Sequence, residues 1–359
     1  MFTFLDNKSF SIIKQKILFQ LTLIIFFILT GCHSQQEYLI SGRTMGTTYH
    51  IKYNAGFFFK HQPLKKAIEE QLSKINSSMS TFDPKSEISV FNKMRDTTKV
   101  ISISDDFYQV LIQARRLYQL TEGAWDGTVK PLVNLWGFGN TSHPQQKPDQ
   151  QTIKRVLNNV GFNNIVIDNH IIQKKNPDIQ LNLASIAKGF GVDLVAQVLD
   201  NHTIENYLVE IGGEVYARGQ KINGKPWRVG INRPKVQSAL NDVYYAIAIK
   251  DKAIATSGDY RNYFMDGTKR YSHVIDPKTG QAVQNKIVSA SVISDTCTFA
   301  DGLATALMVM GVEKGLSLVN QLSDTECFLI QENKSGDGFD HFYSDHFPIK
   351  GHVRSQEKQ

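Results

Sequence analysis

Cysteine is scarce in this chain: Cys32, Cys297 and Cys327 are the only three in 359 residues. No disulfide framework can be built from them, and beyond Cys32 only Cys297 and Cys327 remain, free to pair in an oxidising compartment or to stay as thiols. An excess of one charge is also missing. The formal net charge of +6 is modest and spread along the chain without a basic block, which argues against a nucleic-acid partner. There is no internal repeat and no low-complexity segment. The one long apolar run, residues 17–29, falls short of the roughly 20 residues that a membrane span needs.

That run belongs to a leader. Residues 1–16 carry Lys8, Lys14 and Lys16 ahead of it, giving the basic and apolar regions of a secretory signal. Leu29-Thr30-Gly31-Cys32 follows and resembles the lipobox of bacterial lipoproteins, in which the cysteine is acylated and becomes the new N-terminus. The alternative is an ordinary signal peptide with an incidental cysteine. Several acyl chains anchor stably where one would be marginal. The expected division is a signal peptide over residues 1–31 and a mature domain over 32–359, tied by lipid to a membrane of the cell envelope. His33 is not the aspartate that retains some lipoproteins at the inner membrane, so the choice of membrane stays open.

The mature chain reads as mixed helix and strand. Residues 38–53 form a strand broken at Met45-Gly46, then alternate Thr48, His50 and Lys52 against Tyr49, Ile51 and Tyr53. Leu64, Ala67, Ile68, Leu72 and Ile75 share one face of a helix over 63–75, and a second amphipathic helix covers 105–121. An aromatic loop over 125–138 follows, and residues 141–151 are the clearest surface excursion. Residues 207–219, kinked at Gly212-Gly213, and the runs 227–232 and 243–249 are strands, so the C-terminal half rests on a largely antiparallel sheet. The fold class is α+β.

Chemistry concentrates in residues 256–280, which hold Thr256, Ser257, Asp259, Arg261, His273 and Asp276 among four aromatics. Asp266-Gly267 between aromatic and β-branched runs signals a hairpin with His273 on its return strand. The turn Asp276-Pro277-Lys278-Thr279-Gly280 closes it. His273 is then either a satisfied histidine of a well-made hairpin or a group poised to titrate near neutrality.

Three other stretches suit a ligand. Trp125, Trp136 and Phe138 stand among glycines that let a flat ring lie close, or they simply pack a core. Leu181-Asn182-Leu183 reads as a strand end leading into a helix with Gly189 and Gly191 in its first turns. Each glycine costs about 1 kcal/mol relative to alanine, which implies close packing or close ligand approach. Lys188 adds a charge where free N–H groups suit a phosphate. Asp301 opens an apolar helix over 299–311 with Thr305 four residues on, as a plain N-cap or as a paired oxygen site.

The ordered series TMGTTYHI from Thr44, MSTFDPKSEISVFN from Met79, GAWDGTVKPLVNLWGFG from Gly123, LNLASIAKGFGVD from Leu181, YLVEIGGEVYARG from Tyr207, GKPWRVGINRP from Gly224, SGDYRNYF and YSHVIDPKTG over 257–280, and FADGLATALMVMG from Phe299 resembles the ApbE family of FAD:protein FMN transferases. The resemblance implies a two-lobed fold with FAD in a central cleft and Mg²⁺-dependent transfer of FMN to a Ser/Thr hydroxyl, releasing AMP. The acceptors it implies are envelope redox subunits with an Asp-Gly-x-Ser/Thr-Gly-Ala-Thr/Ser motif, and it favours the inner membrane for the anchor. It also assigns roles. Met45, Phe82, Ala124, Trp125, Asp126, Asn182, Lys188, Ser257 and His273 would bind the dinucleotide; Ser185, Asp301 and Thr305 would hold the metal; His273 and Asp301 would be catalytic. Where the family more often has tyrosine, phenylalanine and aspartate, this chain has Phe82, Trp125 and Asn182. An FAD pyrophosphatase, a non-catalytic flavin-binding lipoprotein and a Ser257/His273/Asp276 hydrolase are the alternatives.

Overall fold

The computed structural model describes residues 14, 20, 35–139, 146–234, 242–259, 262–335 and 338–348. The signal segment, Cys32, Tyr260, Arg261 and the first part of the 141–151 excursion lie outside the described residues. Two compact units are distinguished, one of Met1–Gln36 with Ala55–Phe59 and one of Glu37–Asn54 with Lys60–Gln359. The second holds every element of the site.

Strands β1 (Gln35–Thr44) and β2 (Thr47–Gly56) meet at Met45-Gly46, both at positive φ. Along β2, Tyr49, Ile51 and Tyr53 are buried and Thr48, His50 and Lys52 exposed, the period-two pattern read from the sequence. Helix α1 (His61–Met79) buries Leu64, Ile68, Leu72 and Ile75. Ser86 and Ser104 cap α2 (Glu87–Lys93) and, after the short β3 (Ile101–Ser102), α3 (Asp105–Leu120), accepting the N–H groups of Ser89 and Phe107. The stretch 125–138 is not wholly a loop. It contains α4 (Lys130–Leu135), because Pro131 at its start fixes φ and needs no N–H partner.

After α5 (Gln150–Leu157), β4 (Ile165–Asp168) and β5 (Ile171–Lys174), residues 181–183 depart from the expected strand end. Leu181 exchanges hydrogen bonds with the Asn92 side chain, and the Asn182 N–H donates to Gly127 O, so no sheet neighbour is needed. Helix α6 (Ala184–Asn201) starts there.

The remaining strands are β6 (Tyr207–Ile211), β7 (Glu214–Arg218), β8 (Trp227–Asn232), β9 (Val243–Ile249), β10 (Lys252–Gly258), β11 (Tyr263–Asp266), β12 (Lys269–Ser272) and β13 (Ile287–Ser294). Helix α7 (Cys297–Val319), β14 (Glu326–Glu332) and β15 (Phe339–Tyr343) end the fold. The main sheet runs β1-β2-β6-β7-β10-β13-β14-β15, and its neighbours from β2 onward are antiparallel. All eight residues of β13 are buried, since α7 covers one face. The β8–β9 hairpin covers the other, with Trp227, Ile231 and Ile247 packed on Val288, Ile293 and Phe328.

Helix α7 is long and apolar enough by composition to span a bilayer, yet it packs against α6, β10 and β13 inside the fold. It begins four residues before Asp301, so Asp301 is interior and not an N-cap. The helix also continues past Gly311, which kinks it at φ 81° and ψ 173°. Its own N-cap, Thr296, makes no side-chain cap bond; Asp193 of α6 accepts from the N–H groups of Cys297 and Thr298 instead. Cys297 and Cys327 are buried free thiols.

The α6–α7 crossing is close at Gly189. A Cβ there would stand 2.3 Å from Cys297 O, a backbone atom with little room to yield. Gly189→Ala should gain about 1 kcal/mol of helix propensity but lose more to overpacking, of order 1–3 kcal/mol or beyond. A urea midpoint equal to or above wild type would show that the helices separate freely at this point.

Candidate active site

A cleft of about 370 Å³ opens where α6, α7, the end of β10, the 124–138 stretch and the segment after β12 converge. Ala124, Trp125, Asp126, Asn182, Ser185, Lys188, Ser257, His273, Asp301 and Thr305 all line it. Ten of the residues singled out from the sequence therefore meet in one place, from segments up to 181 positions apart. Met45 and Phe82 are not among the lining residues. Met45 reaches toward Gly191, and Phe82 is 80% exposed.

Helix α6 supplies one wall. Asn182 Oδ1 accepts from the Ala184 N–H, leaving its amide N–H₂ as a donor. Ser185 Oγ accepts from Trp125 Nε1 at 3.0 Å, which ties the aromatic wall to the first turn of the helix. Asp126 is spent on structure: its carboxylate holds Thr128 through N–H and hydroxyl and accepts the Phe162 N–H. Burial raises its pKa against the pull of those bonds. Trp136 is wholly buried, with Nε1 donating to Gly280 O; it packs with Phe264 and Tyr271 and does not reach the cleft.

From the same helix, Lys188 places its ammonium 2.8 Å from Glu214 Oε1 and 3.7 Å from Asp301 Oδ1. Asp301 Oδ2 accepts the Gly189 N–H at 3.0 Å. Burial works against the lysine charge, but Asp301 and Glu214 outweigh it and raise the Lys188 pKa. Glu214 is pushed up to about 8, chiefly by burial and then by Asp301, with Lys188 opposing. Asp301 is raised by burial, again against Lys188 and the Gly189 N–H. One ammonium cannot stabilise two ionised carboxylates this deeply buried, and the raised Glu214 pKa is the result: this glutamate takes up a proton more readily than an ordinary carboxylate. Glu214 Oε2 is buried without a hydrogen-bond partner. This glutamate escaped the sequence reading, although its position directly after Gly212-Gly213 on an inward strand was the available signal.

The third wall carries hydroxyls and the histidine. Ser257 Oγ lies 2.9 Å from Thr305 Oγ1, joining β10 to α7. Asp266 pairs with Lys269, so the hairpin turn is Gly267-Thr268, and His273 sits one residue past β12 instead of on it. There its backbone N–H donates to Asn262 O, and ring Nδ1 lies 3.1 Å from the same carbonyl. A carbonyl only accepts, so Nδ1 carries the proton and Nε2 keeps a free lone pair. Burial lowers the His273 pKa, the Asn262 bond partly offsetting it. Asp276 is consumed by its own turn, accepting from the Lys278 N–H and the Thr279 hydroxyl. With Asn262 at Nδ1 and Ser257 paired to Thr305, a Ser257/His273/Asp276 triad does not form.

The fold and cleft thus define an α+β protein whose site sets a neutral histidine and a cationic lysine against a group of hard oxygens. A family model described as the ApbE family matches residues 45–329. An FAD:protein FMN transferase of Vibrio cholerae serotype O1 is 41% identical over 322 residues, covering 89% of this chain and 95% of that protein. One from Escherichia coli K12 is 33% identical over 319 residues, with 88% and 89% covered. Among solved structures, the flavin transferase ApbE from Vibrio cholerae superposes with a TM-score of 0.78 at 40% identity, covering 87% of this chain and 98% of that one. The apo flavinyl transferase ApbE of Pseudomonas stutzeri gives 0.78 at 33% identity, over 87% and 95%. The chain belongs to the ApbE family.

Removing the lysine charge tests the electrostatics. Lys188→Met leaves two buried carboxylates without their ammonium and should cost about 3–5 kcal/mol, the range for breaking a buried pair. Lys188→Met/Glu214→Gln should regain part of it. Additive losses in the double variant would mean that the lysine and Glu214 are not coupled.

Proposed function

We propose that this chain is an FAD:protein FMN transferase that moves the FMN half of FAD to a Ser or Thr hydroxyl of an envelope acceptor protein. The observation that carries the reading is the meeting of His273, Lys188 and the Asp301/Thr305 oxygens in one cleft, in a chain whose relatives are named for that reaction. In this reaction the acceptor oxygen forms a bond to the phosphorus on the flavin side. The anhydride P–O bond breaks, AMP departs, and the hydroxyl proton is lost. His273 Nε2 is the group with a free lone pair to take that proton. Lys188 and the α6 N–H groups meet the charge on the pyrophosphate. With water as acceptor the same steps yield FMN and AMP, and a non-catalytic flavin binder would release no AMP.

A Mg²⁺ ion fits the donors present. Among the described residues there is no cluster of three or more His, Cys, Asp or Glu suited to a metal. Asp301, Thr305 and Ser185 nevertheless offer a carboxylate and two hydroxyls beside the buried Glu214, the hard-oxygen set that Mg²⁺ completes with phosphate oxygens and water. When bound, the ion would neutralise charge on the pyrophosphate and leaving phosphate. Asp301 Oδ2 is held by the Gly189 N–H, so the carboxylate keeps its orientation before any ligand enters. Met45, Phe82, Ala124, Trp125, Asp126, Asn182 and Ser257 remain proposed dinucleotide contacts.

His273→Ala should keep FAD binding and slow transfer by about 10² to 10⁴. Because burial lowers the His273 pKa from its ordinary 6.5, the neutral base persists below that pH, and kcat/KM should fall only as pH drops through the lowered value. Normal turnover in the variant, or an acid limb unchanged by it, would remove His273 from proton transfer.

Asp301→Asn retains an acceptor for the Gly189 N–H but loses the charge. It should bind FAD, release almost no AMP, and recover in part at high Mg²⁺. Normal AMP release would end the metal assignment.

The anchor is part of the same reading, with Cys32 lipidated after removal of residues 1–31 and the domain on the periplasmic side of the envelope. Cys32→Ser should leave an unacylated precursor, and a chain starting at Gln35 should be soluble and active. Wild-type protein that stays in the aqueous phase of a detergent separation would rule the anchor out.

A further inference from the structure

A serine or threonine hydroxyl stands one carbon from its own backbone. For such a group to reach phosphorus in the cleft, the acceptor backbone must enter the mouth and run out across a neighbouring surface. Beside the cleft lies a second concavity of about 530 Å³ that shares Ala124 and Val309 with it. Other concavities, lined by Arg43 and Asp83 or by Lys74 and Asp105, share no residue with the cleft.

The turn over residues 276–280 divides the two hollows. Pro277 faces the cleft, while Asp276 and Lys278 line the second concavity. Its apolar lining comes from Leu120, Val309, Met310 and Leu318, and the Gly311 kink in α7 lies between Met310 and the charged pair Glu313 and Lys314. Asn285 Nδ2 donates to Met308 O at 2.8 Å beside the kink, so the bend is braced. The Asp276 carboxylate is occupied within its turn. Lys278 and Lys314 are exposed, as are Glu122 and Glu313 of the same lining, and none of the four makes an ion pair among the described residues; Lys278 is the cation on the turn beside the cleft.

We infer that this concavity is the docking groove for the acceptor polypeptide. An extended segment of the acceptor lies along it with an apolar side chain on the Leu120/Val309/Leu318 floor and an acidic residue against Lys278, which delivers the hydroxyl past Pro277 into the cleft. The inference rests on the transferase reading and adds to it the surface that selects the partner. It also gives the Asp-Pro-Lys-Thr-Gly turn a role, since that turn presents a proline to one ligand and a lysine to the other.

The test uses the full chain with FAD, Mg²⁺ and a soluble acceptor domain bearing an Asp-Gly-x-Ser/Thr-Gly-Ala-Thr/Ser motif, with covalent flavin on the acceptor measured against acceptor concentration. Lys278→Glu should raise the acceptor KM about tenfold, as opposing charge at a contact rim does, and Lys278→Glu/Lys314→Glu should raise it further. FAD affinity and AMP release to water should be unchanged. An acceptor whose motif aspartate is replaced by lysine should recover with the Lys278→Glu enzyme and weaken with wild type. An unchanged acceptor KM in both variants, with normal wild-type labelling, overturns the groove alone. A wild-type chain that labels no acceptor and releases no AMP overturns the transferase reading and the groove together.

Discussion

The contact that the rest depends on is the crossing of α6 and α7 at Gly189. Only a residue without a side chain lets the helices come this close, and the closeness is what joins two chemistries. Asp193 reaches from α6 to cap the first turn of α7, and Asp301 reaches back from α7 to the Gly189 N–H. Each helix thus satisfies polar groups of the other, in a region where an unpaired donor would cost about 1–3 kcal/mol. The same reciprocity fixes Lys188 of α6 against Asp301 of α7, so the cleft's charges are positioned by backbone packing and not by loops.

Burying Lys188, Glu214 and Asp301 together is costly for stability, and nothing in the fold alone calls for it. Replacing a buried ionic group with packed apolar residues is often neutral or favourable. A buried trio in which one Glu214 oxygen has no hydrogen-bond partner is therefore not accounted for by stability alone.

Much of this was legible in the sequence, and the failures have physical reasons. Period-two burial on β2, the amphipathic face of α1 and the kink at Gly212-Gly213 follow from local pattern, and local pattern carries them. Gly189 and Gly191 announced a close approach, and both have neighbours where a side chain would stand. The segment 181–183 looked like a strand end because Leu181 and Leu183 alternate about Asn182, but its hydrogen bonds go to Asn92 and Gly127, partners far away in sequence that periodicity cannot show. Asp301 looked like a helix start because caps are usually local; α7 instead takes its cap from Asp193, more than a hundred residues earlier. Glu214 was missed for a similar reason, since a glutamate on a strand reads as solvent-facing until its lysine partner is known.

His273 depends on a different core from the oxygens it faces. The β11–β12 hairpin is a separate two-stranded sheet, held by Phe264, Tyr271 and Ile275 against Trp136, Leu132 and Ile153 of the α4–α5 region. The oxygens and Lys188 are instead set by α6, α7 and the end of β10 on the main sheet. The cleft is therefore the seam between two independently packed groups of side chains, both within the larger compact unit. Such an arrangement separates the two demands on the site. The main sheet and its two helices hold a dense charge cluster, while the hairpin needs only one carbonyl, Asn262 O, to fix the tautomer of its histidine. No ion pair or side-chain hydrogen bond links His273 to the Lys188, Glu214 and Asp301 cluster among the described residues, so the histidine and the charge cluster are each fixed by their own contacts.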